Sequence, residues 1–152
     1  MDSELLLDAK TALIKGDIEK SIELFDQVLA EEPENQIALF SRGTAKFRIK
    51  DHEGAISDFD SYIEINSSNE KVYCSRGNAY LSMNNQEKAL QDFNRAIAIN
   101  PQYPTAYFSR SALFRQMGEV DQAEEDQQVA EQLQRQISQA YFETQGIMYQ
   151  NF

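Results

Sequence analysis

Residues 70–103 have the sequence EKVYCSRGNAYLSMNNQEKALQDFNRAIAINPQY, and parts of this stretch recur along the chain at a constant step. The tripeptide Ser75-Arg76-Gly77 lies 34 residues after Ser41-Arg42-Gly43 and 34 residues before the related Ser109-Arg110-Ser111. A constant step indicates an array of structural repeats, each built like its neighbours.

One register accommodates all of the recurring positions. In this register residues 1–137 contain four units of 34 residues, with only Met1 ahead of them. The predicted units are 2–35, 36–69, 70–103 and 104–137, and residues 138–152 follow as a C-terminal helix extension and apolar tail.

Each unit contains two apolar segments of about a dozen residues, with the spacing that is typical of amphipathic helices. A turn signal separates the two segments, often with Gly or Asn, which tolerate the left-handed backbone that ends a helix. The predicted turns are Lys15-Gly16-Asp17, Lys50-Asp51, Asn84-Asn85 and Met117-Gly118-Glu119. Because no hairpin buries its apolar face alone, we expect the hairpins to stack into a superhelix with a concave side.

The third unit resembles the tetratricopeptide repeat, whose large, small and aromatic columns end on a proline. The matching residues are Tyr73, Gly77, Tyr80, Ala89, Phe93, Ala96 and Pro101. The other units keep part of this pattern, although Lys46 stands in an aromatic column and Gln127 stands where Phe is usual. The resemblance implies an all-α fold, a right-handed superhelical array of four helix-turn-helix hairpins that binds other proteins.

The C-terminal region departs from the repeat. From Asp121 to about Thr144 the pattern stays helical without Pro or Gly, so we expect a long C-terminal helix that caps the array. The segment Ile147–Phe152 is too apolar for a solvated tail. We expect it to dock on its own array, and a homodimer formed through this C-terminal segment is the alternative.

The net charge of −11 comes from 25 acidic and 14 basic residues. A surface of this sign repels nucleic acids and anionic membranes, so neither is an expected partner. We interpret the negative charge as a feature that keeps the protein soluble, and the alternative is that it selects a basic partner. The N-terminus lacks a secretory signal, no apolar run approaches the ~18 residues of a membrane span, and Cys74 is the single cysteine. We therefore expect a soluble cytoplasmic protein.

Catalytic and metal-binding motifs are missing from the sequence. The sole histidine, His52, falls in the turn of the second hairpin and is expected to be a solvated polar residue. The sequence has no Cys-x-x-Cys, His-x-x-x-His or glycine-rich phosphate loop. We therefore expect no enzymatic activity and no cofactor.

Arginine and aspartate columns follow the same step as the repeats. The arginines are Arg42, Arg76 and Arg110, and the aspartates are Asp58, Asp92 and Asp126. In the first unit both columns change together, to Asp8 and Leu24. This joint change favours an Arg–Asp pair that bridges each of the other hairpins, with ligand binding by the arginines as the alternative.

The resemblance places the binding surface on the concave wall, which the first helices of the hairpins form. The groove residues that it implies are Leu6, Phe40, Thr44, Phe47, Cys74, Asn78, Leu81, Phe108 and Arg115. Phe40 and Phe47 are seven residues apart and share a helix face, so with Phe108 they would anchor a ligand, although core aromatics show the same spacing. At best two of the five positions of the family's carboxylate clamp are filled, which favours apolar or strand-like recognition.

These observations favour a scaffold or adaptor that binds a peptide or helix of an unidentified client protein in its groove. The alternative is a client-specific chaperone, similar to the small acidic tetratricopeptide chaperones of bacterial secretion systems. Those chaperones usually have an additional N-terminal helical segment, whereas the first unit of this sequence begins at Asp2.

Overall fold

The computed structural model describes the backbone of residues 3–150 and the side chains of residues 3–145. This part of the chain is helical throughout, without a strand. The helices are α1 Glu4–Lys15, α2 Ile18–Glu31, α3 Gln36–Arg48, α4 His52–Ile65, α5 Glu70–Ser82, α6 Gln86–Ile99, α7 Pro104–Met117 and α8 Val120–Gln150. They form four consecutive hairpins, and the second helix of each hairpin packs on the first helix of the next. The predicted all-α superhelical array with a long final helix is confirmed.

Left-handed residues lie between the two helices of every hairpin, where the turns were predicted. Gly16 and Gly118 have φ angles of 88° and 82°, and Lys50 and Asn84 have φ angles of 65° and 59°. Glycine adopts this conformation without strain, whereas a side chain such as that of Lys50 brings its Cβ close to the following carbonyl oxygen. The turn therefore requires a left-handed backbone at residue 50, and lysine adopts it with more strain than glycine would.

Side chains also cap the helix starts. In five of the helices the side chain before the first turn accepts a hydrogen bond from a backbone N–H two or three residues further on. These caps are Ser3, Asn35, Asp51, Asn69 and Asn85.

The two helices of an inner hairpin approach closely at a glycine. A Cβ atom added to Gly77 would lie 2.6 Å from Cε1 of Phe93, which is completely buried. Gly43 meets Phe59 in the same way. The aromatic ring occupies the space that a side chain at either glycine would need.

The last helix, α8, differs from the others in length and partners. It contains 31 residues, continues past Thr144 to Gln150, and packs on α7 alone within the described part of the chain. The side chains from residue 146 onward lie outside the described part, so the docking of the segment 147–152 stays a prediction. No helix in residues 3–150 has both the length and the apolar character that crossing a membrane requires.

One position of α8 is polar where each of the other second helices has a buried phenylalanine. Gln127 takes the position of the buried phenylalanines, and its side chain accepts a hydrogen bond from Arg115 at 2.7 Å and donates one to Glu131 at 3.0 Å. The fourth hairpin therefore has hydrogen bonds at a position where the first three have a buried ring.

Candidate protein-binding groove

The first helices of the hairpins form the inner wall of the array. α1 contacts α3, α3 contacts α5 and α5 contacts α7, whereas the second helices make no such contacts with one another over the described residues. Helices on the inner side of a curved stack approach each other and those on the outer side diverge. The inner wall therefore consists of α1, α3, α5 and α7.

A first depression in this wall surrounds Phe40. The ring of Phe40 is half-buried, with its centroid 5.9 Å from that of Phe59 and 6.3 Å from that of Tyr62. The depression is lined by Gln36, Ile37, Phe40, Ser41, Tyr62 and Asn69. It has an aromatic floor and an uncharged polar rim.

A second depression lies between α3 and α5 and contains Phe47. It is lined by Thr44, Phe47, Phe59, Ser75 and Asn78. These lining residues also carry no formal charge. Phe40 and Phe47 therefore lie one in each of two neighbouring uncharged depressions.

The nine predicted groove residues differ in their exposure. Leu6 and Cys74 lie in the core, with 2% and 1% of their surface exposed, so their side chains do not reach an accessible wall. Phe108 is exposed to 42%. Thr44, Asn78 and Leu81 are half-buried like the two groove phenylalanines, and Arg115 is exposed.

The predicted Arg–Asp pairs are confirmed in three hairpins. Arg76 donates from its Nε to Asp92 at 2.9 Å and from a terminal nitrogen to the second carboxylate oxygen at 2.7 Å. Arg42 bonds Asp58 and Arg110 bonds Asp126 with the same two-point geometry. The three carboxylates are buried, so the pairs hold α3 to α4, α5 to α6 and α7 to α8 from the inside.

Each of these arginines also reaches the preceding hairpin, a contact that sequence reasoning missed. The third guanidinium nitrogen of Arg42 donates a hydrogen bond to Asp26 at 2.7 Å, and that of Arg76 donates one to Asp60 at 2.7 Å. Arg110 bonds Asn94 at 2.8 Å. The signal was present in the sequence, because Asp26, Asp60 and Asn94 also follow one another at the 34-residue step.

These bonds stabilise the charged form of the arginines and occupy the nitrogens that would bind a ligand. The hydrogen bond to Asp92 raises the pKa of Arg76 above its ordinary value, and Asp58 and Asp126 act in the same way on Arg42 and Arg110. Guanidiniums that already hold two acceptors have little capacity for a phosphate or carboxylate ligand. The structural interpretation of the arginine column is therefore the correct one.

Lys46, which departs from the aromatic column, has a structural role. Its ammonium group lies 3.2 Å from Asp58, next to the Arg42 pair. The aromatic side chain that would shield the pair is replaced by a second cation, and the buried carboxylate remains compensated.

Two other predicted features lie close to the groove. His52 is the first residue of α4 and is half-buried, not solvated: its ring centroid lies 5.2 Å from that of Phe47, and its Nδ1 is buried without a hydrogen-bond partner. Burial raises the pKa of the Cys74 thiol, which lies 3.6 Å from the hydroxyl of Ser109. No group of three metal-binding side chains is found within the described region.

Comparisons with known proteins agree with this geometry. Two sequence models of the tetratricopeptide repeat match residues 6–70 and 70–103, which together exceed half of the chain. A crystal structure of MamA is 25% identical and superposes with a TM-score of 0.77 over 93% of this chain and 80% of that chain. MamA from Desulfovibrio magneticus RS-1, residue 41 to the end, is 19% identical with a TM-score of 0.81 over 87% and 75% of the two chains, which shows the fold alone.

No curated protein sequence matches the chain. The repeat matches and the superposition on MamA nevertheless agree with the helical hairpins and the repeated columns described above. The chain therefore belongs to the tetratricopeptide repeat family, a family of protein-interaction scaffolds that are generally not enzymes.

Proposed function

We propose that this chain is a cytoplasmic adaptor without enzymatic activity that binds a peptide or helix of a client protein along its inner wall. One observation carries the proposal: Phe40 and Phe47 lie in two neighbouring depressions whose lining residues are all uncharged. Half-buried aromatic rings with neighbouring apolar surface are typical anchors of protein interfaces.

The spacing of the two rings limits the shape of the ligand. Seven residues of α-helix rise by about 10 Å, which is the approximate separation of the two depressions along α3. A ligand helix presents side chains at this distance on one face, seven positions apart. An extended strand points successive side chains to opposite faces, so its same-face side chains lie about 7 or 13 Å apart and match this separation less closely. The spacing therefore favours a helical segment, which is a known mode of groove recognition.

Polar groups beside Phe47 would orient such a ligand. Asn78 and Ser75 line the second depression, and Asn78 is half-buried. A side-chain amide both donates and accepts, so it can pair with the backbone N–H or C=O of a bound segment. The apolar rings would supply the affinity, and the amide would select the backbone orientation.

The experiment is a capture of client proteins from lysate of the host on immobilised wild type and on a Phe40→Ser/Phe47→Ser variant. The matched control is Val120→Ser/Val129→Ser, because these two exposed apolar residues lie on α8 at the end of the array. Circular dichroism verifies that all three proteins keep their helix content.

We expect a client that binds wild type and the α8 control and is lost from the groove variant. Each ring is expected to contribute about 2 kcal/mol, as buried aromatic anchors do. Equal recovery of the same proteins by all three baits, or loss on the α8 control alone, would show that the inner wall is not the binding site.

A further inference from the structure

The charges of this acidic chain are segregated between the two sets of helices. Three of the inner helices, α3, α5 and α7, contain seven basic residues and one acidic residue, and the fourth, α1, contains two of each. The helices α2, α4, α6 and α8 contain sixteen acidic and four basic residues. The net charge of −11 therefore describes the outer side of the array and not the groove.

Part of the positive charge on the inner helices is compensated internally. Arg42, Arg76 and Arg110 are held by buried aspartates, and Lys46 lies beside Asp58. The one acidic residue of the three helices, Glu70, accepts a hydrogen bond from Asn100 at 3.1 Å.

Three further cations on these helices have no acidic partner among the contacts described. Arg48 bonds the carbonyl oxygen of Leu13 at 3.4 Å, and Arg115 bonds the side-chain oxygen of Gln127 at 2.7 Å. Lys71 is exposed in the first turn of α5. All three side chains are exposed: Arg48 and Lys71 lie on the two inner helices that line the second depression, and Arg115 lies on the next inner helix, α7.

We propose that the segment bound in the groove is acidic as well as apolar, with Asp or Glu residues next to two apolar anchors. This inference rests on the proposed function and specifies the partner of the same site. Opposite charges on the wall and the ligand accelerate encounter and select the ligand against neutral and basic segments. The acidic outer helices repel the same ligand, so its attraction is confined to the inner wall.

The two uncharged depressions favour a peptide over a nucleic acid, although both are anionic. Nucleic-acid affinity depends on many phosphate contacts along a basic track. Three scattered cations around an apolar floor do not form such a track, whereas they suit a segment that combines carboxylates with apolar side chains.

The test uses the full chain as bait for a displayed library of random peptides of about a dozen residues. Selection is performed in parallel on wild type and on the Phe40→Ser/Phe47→Ser variant, and the peptides enriched on wild type alone are sequenced. We expect these peptides to be net negative, with two apolar residues at the spacing of the two depressions.

Charge-reversal variants then measure the contribution of the cations. For the best enriched peptide, Lys71→Glu/Arg115→Glu is expected to raise Kd about tenfold, which corresponds to roughly 1.4 kcal/mol. The control Lys20→Glu/Arg135→Glu makes the same change of charge on outer helices and is expected to change Kd less than threefold. Binding of the peptide is also expected to weaken as NaCl is raised.

The outcomes separate this inference from the proposed function. Enrichment of neutral or basic peptides that still depends on Phe40 and Phe47 overturns the acidic ligand and leaves the groove intact. Absence of any enrichment that depends on the two rings overturns both proposals. Tighter binding of a fluorescein-labelled single-stranded oligonucleotide than of the enriched peptides also overturns the assignment to an acidic peptide.

Discussion

Truncation of Arg76 to alanine should destabilise the array more than any change at an exposed cation. The side chain makes two bonds to Asp92, of which 6% is exposed, and one to Asp60, of which 48% is exposed. Removal of one partner from a buried pair leaves an uncompensated charge and costs about 3–5 kcal/mol. The exposed bond to Asp60 contributes little, about 0–1 kcal/mol.

A double-mutant cycle isolates the contribution of the pair. Asp92→Ala should cost less than Arg76→Ala, because the guanidinium keeps Asp60 as a partner and is 19% exposed. The double variant Arg76→Ala/Asp92→Ala no longer contains the unpaired buried charge, so the sum of the single effects should exceed its effect by about 1–3 kcal/mol.

The assay is urea unfolding followed by far-ultraviolet circular dichroism, with the m-value compared between variants. Arg135→Ala is the control, because this exposed arginine on α8 should stay within about 0.5 kcal/mol of wild type. A coupling energy below about 0.5 kcal/mol, with unchanged m-values, would refute the view that the pair holds α5 and α6 together.

Further predictions concern the turns, the helix contact and the thiol. Lys50→Gly should stabilise the protein by about 0.5–1 kcal/mol by relieving its left-handed strain, and Gly118→Ala at the equivalent turn should destabilise it by a similar amount, both measured by urea unfolding. Gly77→Ala should cost about 1–3 kcal/mol in the same assay, because the new Cβ would overlap the buried ring of Phe93; full stability would contradict this contact. The thiol of Cys74 should react with Ellman's reagent at pH 8 only after unfolding, because burial both shields it and raises its pKa, and rapid labelling of the native protein would be evidence against its burial.

The sequence was sufficient for features that depend on local structure and on matched columns. The turn positions follow from helix periodicity and from residues such as Gly16 and Asn84, and these are local properties. The pairing of Arg76 with Asp92 followed from two columns that change together in the first unit. Both kinds of inference stay within one hairpin.

Stacking of hairpins produced the features that could not be predicted. Leu6, Phe40, Cys74 and Phe108 share one column, yet their exposure ranges from 1% for Cys74 to 42% for Phe108. Cys74 is covered by the next hairpin, where it meets Ser109, whereas Phe108 lies on α7, beside which the described residues place no further inner helix. A column therefore gives the direction of a side chain, and the neighbouring hairpin determines its burial.

The arginine links between hairpins have a consequence for how such an array changes length in evolution. Each inner junction consists of an arginine from the later unit and an acceptor from the earlier one, such as Arg76 and Asp60. Tandem duplication of an inner unit would copy both halves, and every new junction would be complete. Joining two whole arrays end to end would instead bring Asp8, which cannot donate as a guanidinium does, to the junction. Insertion of units within the array thus keeps every junction complete, whereas joining two arrays end to end leaves one junction without its arginine.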